Sequence, residues 1–293
     1  MHDIVEKAKL ADKVWRLRVA APRIARKRQA GQFVILRVHE HGERIPLTIA
    51  DADPEQGTIT LVVQEVGKTT TLLCRLKVGE GMADLVGPLG RPTRVERFGT
   101  VVMVAGGIGI APAHPIAQAM KAAGNHVVSV LGARTRELLI MEEEMKGTSD
   151  ELLVVTDDGS YGEKALVTDA LRGIIQRGTK IDLVVTIGPP IMMKFVSELT
   201  RPYGIKTLVS LNSIMIDGTG MCGGCRVRYA GENRFACVDG PEFDGHLVDF
   251  DNLMVRLSAY RQYEKESMDL LQEAPRRLGE KGCRLKEGIR AQP

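Results

Sequence analysis

The sequence predicts a chain of mixed β and α/β class: an antiparallel β-barrel, then a parallel-sheet α/β unit, then a small cysteine-bearing unit with a helical tail. Three observations predict it. Up to about Thr93, short runs such as WRLRV and GQFVILRV are cut by glycine, proline and charged turns, and WRLRV alternates with period two. From Val101, short apolar runs alternate with stretches of helical spacing, the pattern of parallel strands joined by crossover helices. After Leu208 comes DGTGMCGGCRVRYAGENRFAC, a glycine-rich stretch that holds three of the five cysteines.

The barrel is expected over residues 1–95, with strands in WRLRV, GQFVILRV, PLTIA, TITLVVQEV and a short run between Met82 and Val86. RIARKRQ, near residue 23, reads as a solvated loop. Arg44, Pro46 and Thr48 stand in RIPLT at a strand start, and GKTTT, Gly67 to Thr71, precedes the helix-like TLLCRL. A guanidinium and hydroxyls can satisfy pyrophosphate oxygens, and amides at a helix start form a ready anion site. Helix capping by threonine and an exposed barrel arginine would look the same.

The α/β unit is expected over residues 96–207. VVMVA, HVVSVL, ELLVVT and DLVVTIG read as buried strands, with helices in APAHPIAQAMKAAG, RELLIMEEEMKG and KALVTDALRGIIQRG. AGGIGIAP places Gly106, Gly107 and Gly109 at the carboxyl edge of a parallel strand, where a dinucleotide phosphate would sit. It is not the G-x-G-x-x-G fingerprint, and glycines that only permit a turn would read alike. TIGPPIMM supplies a second such turn at Gly188 and Pro189, suited to lie under a flat ring. The second strand ends in LGARTR with no acidic residue for a ribose hydroxyl. Arg134 and Arg136 suit a 2′-phosphate, or pair with Glu142 to Glu144, so NAD and NADP stay open. Asp157, Asp158 and Gly159, in TDDGSYGEK, either bound the same cleft or form an ordinary turn.

The third unit is expected over residues 208–250. Asp217, Cys222, Cys225 and Cys237 follow the C-x4-C-x2-C…C spacing of plant-type [2Fe-2S] centres, with an aspartate in the first position. The glycines between them leave N–H groups free to approach sulfur. A structural zinc site on the three cysteines with His246 or Asp217 is the alternative, although zinc sites usually pair two short knuckles. The tail, residues 251–293, carries Leu253, Leu257 and Tyr260 at helical spacing, with Pro275 as its expected stop, and is expected to wrap onto another surface. Cys74 and Cys283 read as packing or surface residues.

Composition narrows the function classes. A formal charge of +3 and 4% aromatic content give neither an electrostatic footprint nor stacking platforms for nucleic acid. No stretch reaches the apolar length needed to span a bilayer, and the N-terminus lacks an uninterrupted apolar run. Five cysteines, three of them clustered, do not make a disulfide framework, which points to the reducing cytoplasm.

The order RIPLT, GKTTT, LVGPLG, AGGIGIAP, TDDGSYGEK, TIGPP and the cysteine cluster resembles the ferredoxin reductase superfamily, in its branch with a C-terminal [2Fe-2S] domain. The resemblance runs to about Asp249. That branch includes the electron-transfer subunits of dihydroorotate dehydrogenase and the small subunits of NADH-dependent reduced ferredoxin:NADP oxidoreductases. It implies FAD held by Arg44, Pro46, Leu47, Thr48, Gly67, Thr69 and Thr70, and NAD(H) placed by Gly107, Gly109 and the Gly188 turn. Val62, Gly106, Asp157 and Pro189 complete the expected cofactor-binding set. Pro46 stands where plant-type reductases carry the tyrosine of R-x-Y-S.

Nicotinamides exchange two electrons together and iron–sulfur clusters one, so a flavin is expected between them, with no side chain in a catalytic role. The aspartate at the first ligand position is similar to the bifurcating small subunits. They imply a larger flavin and iron–sulfur partner, with ferredoxin reached through the complex. The dihydroorotate branch is the alternative, and a zinc-stabilised nucleotide-binding regulator is a third.

Overall fold

The computed structural model describes residues 2–280, with side chains to residue 273. Seven strands build the barrel: β1 (His2–Ala11), β2 (Val14–Ala20), β3 (Phe33–Arg37), β4 (Arg44–Asp53), β5 (Thr58–Gln64), β6 (Gly81–Met82) and β7 (Asp84–Leu89). Their antiparallel order is β6-β1-β2-β5-β4-β3-β7. The two ends of that order, β6 and β7, are separated in sequence by Ala83 alone, so the sheet nearly closes on itself. Period-two alternation drives it: Leu17 and Val19 point into a core shared with Leu36, Ile49, Ile59 and Leu61, while Arg16 and Arg18 stay at the surface.

RIARKRQ is not a loop. Pro22–Lys27 form a short helix, α1, that buries Ile24 and Ala25 against the barrel and leaves the charges outside. Helix α2 (Lys68–Arg75) starts at Gly67, whose N–H is accepted by the Thr70 hydroxyl at 3.0 Å. Cys74 is buried in the barrel core, and burial pushes its thiol up to about 12. It is a packing residue. Cys283 lies outside the described residues.

The second sheet contains β8 (Thr100–Gly106), β9 (His126–Ala133), β10 (Glu151–Thr156), β11 (Glu163–Lys164), β12 (Leu183–Ile187) and β13 (Thr207–Ser210), all parallel. Alternate residues of each strand face opposite sides. Val101, Met103 and Ala105 pack on α3 (Ile110–Ala122), whereas Val102 and Val104 pack on α5 (Val167–Gln176) and α6 (Pro190–Thr200). The helix expected across RELLIMEEEMKG is shorter. A 3-10 turn forms over Arg136–Leu138, and α4 (Glu142–Gly147) follows after Met141 turns left-handed at φ 55°. The barrel docks on the α3 side, where Val14, Ala50 and Val62 share the core with Ile110 and Ala113.

The boundary expected between residues 207 and 208 falls one residue into β13. The cysteine segment returns to the same sheet as β16 (Glu242–Asp244), antiparallel to β13, after the hairpin of β14 (Arg226–Tyr229) and β15 (Glu232–Phe235). A third core joins Phe33 and Ile35 of the barrel to Leu211, Met215, Cys225, Cys237 and Phe243. Helix α7 (Phe250–Ser258) covers that core with Phe250 and Leu253. Helix α8 (Arg261–Glu280) continues through Pro275, the expected stop, and packs against α2.

Candidate functional site

The sheet order β10-β9-β8-β12-β13 reverses between β8 and β12. Crevices at such a switch point, outside the carboxyl ends of the strands, are where open α/β sheets take ligands. There a cleft of about 940 Å³ opens, walled on one side by the barrel residues Pro46, Leu47, Thr48, Val62, Gln64 and Val66. Opposite them stand Gly106, Gly107 and Gly109 after β8, and Gly188 and Pro189 after β12.

The glycine requirement is strictest at Gly109, where an added Cβ would run into the Ile187 carbonyl oxygen. Gly107 takes φ 57° with nothing within 4 Å of its missing side chain, so its backbone faces open space. Met192 lies across the two glycine turns: its sulfur is 2.5 Å from where a Cβ on Gly106 would stand, and its methyl 2.6 Å from the same point on Gly188.

Ten of the expected cofactor residues meet in this cleft: Pro46, Leu47, Thr48, Val62, Gly106, Gly107, Gly109, Asp157, Gly188 and Pro189. Four do not line it. Arg44 sits near Asp84, 3.7 Å away, and Gly67, Thr69 and Thr70 form the start of α2. The Thr69 hydroxyl donates to Glu43 at 2.9 Å, which brings that helix start beside Arg44 at the outer end of β4. Of the two arginines after β9, Arg134 lines the cleft, whereas Arg136 stacks on Tyr161 at 4.3 Å. The Tyr161 hydroxyl donates in turn to Glu142 at 2.9 Å.

Sequence reasoning missed Phe33, Leu211, Asn212, Met215 and Phe195, which also line the cleft. Nothing in their local sequence marks them. They arrive from three different units, and only the docking of those units makes them neighbours.

The four expected cluster ligands fall into two pairs. Cys225 and Cys237 are buried with their sulfurs 3.2 Å apart. The Asp217 carboxylate accepts from Thr219 N–H at 2.8 Å and Cys222 N–H at 2.7 Å, next to the exposed Cys222. Among the described residues, no three His, Cys, Asp or Glu groups converge as ligands of a single ion.

Burial, and then the neighbouring Cys225 thiol, hold the Cys237 thiol well above its ordinary value, and bound metal reverses that by favouring thiolates. The N–H of Thr219, and then that of Cys222, hold the Asp217 carboxyl below its ordinary value. Gly218, at φ 78°, packs so closely on the barrel that a Cβ would lie 2.6 Å from Leu89 and 2.9 Å from Ile35. His246, the alternative zinc ligand, is engaged by Thr200 at 3.0 Å and lies 3.7 Å from Asp244.

Residues 212–249 match the iron–sulfur cluster binding domain of dihydroorotate dehydrogenase B, and residues 103–198 match the oxidoreductase NAD-binding domain. The chain is 51% identical to a dihydroorotate dehydrogenase B (NAD(+)) electron transfer subunit homolog of Thermotoga maritima, over 92% of this chain and 95% of that one. It is 32% identical to the dihydroorotate dehydrogenase B electron transfer subunit of Geobacillus thermodenitrificans, over 82% and 94%.

Among solved structures, a chain of the NADH-dependent reduced ferredoxin-NADP oxidoreductase, described for flavin-based electron bifurcation, superposes with a TM-score of 0.88. It is 50% identical over 93% of this chain and 98% of that one. The Amycolatopsis cytochrome P450 reductase, 23% identical with a TM-score of 0.56 over 70% of this chain and 68% of that one, shares the fold. These matches support FAD, an iron–sulfur cluster and NAD(H) as cofactors. Among the described residues no helix is long and apolar enough to cross a membrane. The chain is an oxidoreductase subunit and belongs to the family of dihydroorotate dehydrogenase B electron-transfer subunits and their homologues.

Proposed function

We propose that this chain is the cytoplasmic electron-transfer subunit of an electron-bifurcating ferredoxin/NAD(P) oxidoreductase, exchanging hydride with NAD(H) and single electrons with a larger flavin and iron–sulfur partner. When bound, FAD and a [2Fe-2S] cluster supply the conversion between two-electron and one-electron chemistry. Residues 1–95 would hold the flavin along Pro46, Leu47, Thr48 and Val62, with Arg44, Gly67, Thr69 and Thr70 at its phosphate end. The turns at Gly107, Gly109 and Gly188 would seat the nicotinamide nucleotide, with Asp157 and Arg134 further along the cleft. Asp217 with Cys222, and Cys225 with Cys237, would each hold one iron. The chain's part is positioning and exclusion of water, so no side chain is given a proton-transfer role.

The observation that carries this reading is the continuity between the two sites. Met215 and Phe33 line the cleft and also belong to the packed core that contains Cys225 and Cys237. A dense wall of that kind would hold a flavin and a cluster near each other at a fixed separation.

The test is anaerobic purification from the native source, with assay of iron, sulfide and flavin, followed by addition of NADH. Bleaching of both the flavin and the cluster absorbance by NADH supports the reading. A colourless, iron-free protein that ignores NADH removes it.

The second reading is the electron-transfer subunit of a dihydroorotate dehydrogenase, favoured by the match of residues 212–249. Asp217 in place of a cysteine favours the first. The copurifying partner separates them, since only the second requires a subunit that oxidises dihydroorotate.

A further inference from the structure

Beside the exposed Cys222 lies a second pocket, of about 460 Å³, that the cofactor cleft does not use. Ile214 and Ile216 form one side, and Leu253, Leu257 and Tyr260 of the α7 region form the other. Its charged lining residues are Arg226 and Arg256, with no carboxylate among the residues that face it. Arg256 donates from one guanidinium nitrogen to the Gly224 carbonyl at 3.1 Å, and among the described residues neither arginine has an acidic partner.

Ser213 supplies an independent observation. It is 4% exposed, lines this pocket, and its hydroxyl has no hydrogen-bond partner. A buried hydroxyl left unpaired costs stability, so a site that satisfies it on occupation gains from doing so. Its apolar lining is partly open to solvent: Ile216 and Tyr260 are about half exposed, and Val255 is largely exposed. Exposed apolar groups clustered in one patch mark protein interaction sites, and arginine and tyrosine are enriched at such interfaces.

We propose that this pocket receives an acidic side chain, flanked by apolar residues, from the protein that exchanges electrons with the cysteine cluster. The proposal rests on the function proposed above and adds what the partner must present: a carboxylate seated between Arg226 and the free edge of Arg256, within reach of the Ser213 hydroxyl. Charge selects it, because two guanidinium groups with no carboxylate among the pocket's lining residues favour an anion and repel a basic surface. Docking there would bring the partner's redox centre to the exposed side of the cluster loop, opposite the face that packs on the barrel.

The experiment uses the complex isolated from the native source with its cofactors. Arg226→Glu is expected to weaken partner retention at least tenfold and to lower the ionic strength at which the complex dissociates. Arg228→Glu, the same charge change on β14 outside the pocket, is expected to behave like wild type. Arg226→Lys places an amine in the pocket, and a zero-length carbodiimide is expected to join it to an Asp or Glu of the partner.

Iron content and NADH-driven ferricyanide reduction, both expected to stay at wild-type levels, show that each variant is folded and loaded. If Arg226→Glu dissociates at the wild-type ionic strength, or if the Arg226→Lys amine joins no partner carboxylate while other lysines cross-link, the pocket assignment is overturned alone. A wild-type chain that purifies without any partner overturns both the electron-exchange reading and this one.

Discussion

The Thr93 hydroxyl donates to Glu242 Oε1 at 2.5 Å, and this bond ties the segment leaving the barrel to β16, the strand that the cysteine unit adds to the parallel sheet. Gly31 of the barrel closes over the same pair, because a Cβ there would strike the Thr93 hydroxyl and lie 2.9 Å from Glu242 Oε1. Three units therefore meet at one carboxyl group. Its neighbours Pro241 and Ser210, the latter opposite Glu242 across the sheet, line the cofactor cleft.

Burial, opposed in part by the Thr93 hydrogen bond, pushes the Glu242 carboxyl up to about 7. The folded chain thus keeps a proton that the unfolded chain has lost, so stability falls as pH rises from about 4.5 to about 7 and then levels off. Glu242→Gln keeps an acceptor for Thr93 and removes the ionisation. It is expected to raise the melting temperature at pH 8, by about 2–4 °C for each 1 kcal/mol gained, and to leave it unchanged near pH 4. Thermal melts at the two pH values check this, and an equal change at both would show that the carboxyl does not titrate with folding.

At the cluster loop, Asp217 accepts two backbone N–H groups. Hydrogen bonds to a ligand favour the more negative, reduced state of a cluster, and a thiolate accepts them more weakly than a carboxylate. Asp217→Cys is therefore expected to retain the cluster and to lower its midpoint potential by at least about 59 mV, a tenfold change for one electron. A redox titration followed in the visible spectrum decides it. An unchanged potential would remove Asp217 from the ligand set.

Gly109→Ala tests the nucleotide turn. The new methyl meets a backbone carbonyl, Ile187, that has no rotamer to escape into, so the turn itself must shift. The KM for NADH is expected to rise roughly tenfold or more, about 1.4 kcal/mol of binding, with flavin content unchanged. Steady-state kinetics with ferricyanide measures it, and equal loss of flavin would place Gly109 in the wrong subsite.

Much of the site was legible because it depends on local backbone constraint. Gly106, Gly107, Gly109 and Gly188 announce turns, and the spacing from Asp217 to Cys237 is a linear pattern with a chemical meaning. What was not legible depends on tertiary docking or on residues whose neighbours disguise them. The arginines and lysines around Ile24 hide a helix whose buried face is only two residues wide. Arg136 suits either a phosphate or the Glu142 to Glu144 run in sequence, and its stacking on Tyr161, whose hydroxyl donates to Glu142, is a tertiary contact that neither reading contains. The return of residues 242–244 to the sheet, which blurs the limit between the second and third units, is a long-range pairing that no local pattern encodes.

Met215 is the residue on which the link between the two sites can be tested. It is 3% exposed, lines the cleft, and packs in the core that holds Cys225 and Cys237. Met215→Ala removes that packing and leaves a cavity, a change expected to cost about 2–5 kcal/mol of stability. Met215→Leu conserves volume and is expected to cost under about 1.5 kcal/mol. If the wall between cleft and thiols sets the separation of the two centres, Met215→Ala slows reduction of the cluster by NADH while NADH-driven ferricyanide reduction continues, and Met215→Leu restores the rate. Stopped-flow spectra at flavin and cluster wavelengths separate the two steps. Equal slowing of both would assign Met215 to nucleotide or flavin binding, and no slowing of either would break the link between packing and electron exchange.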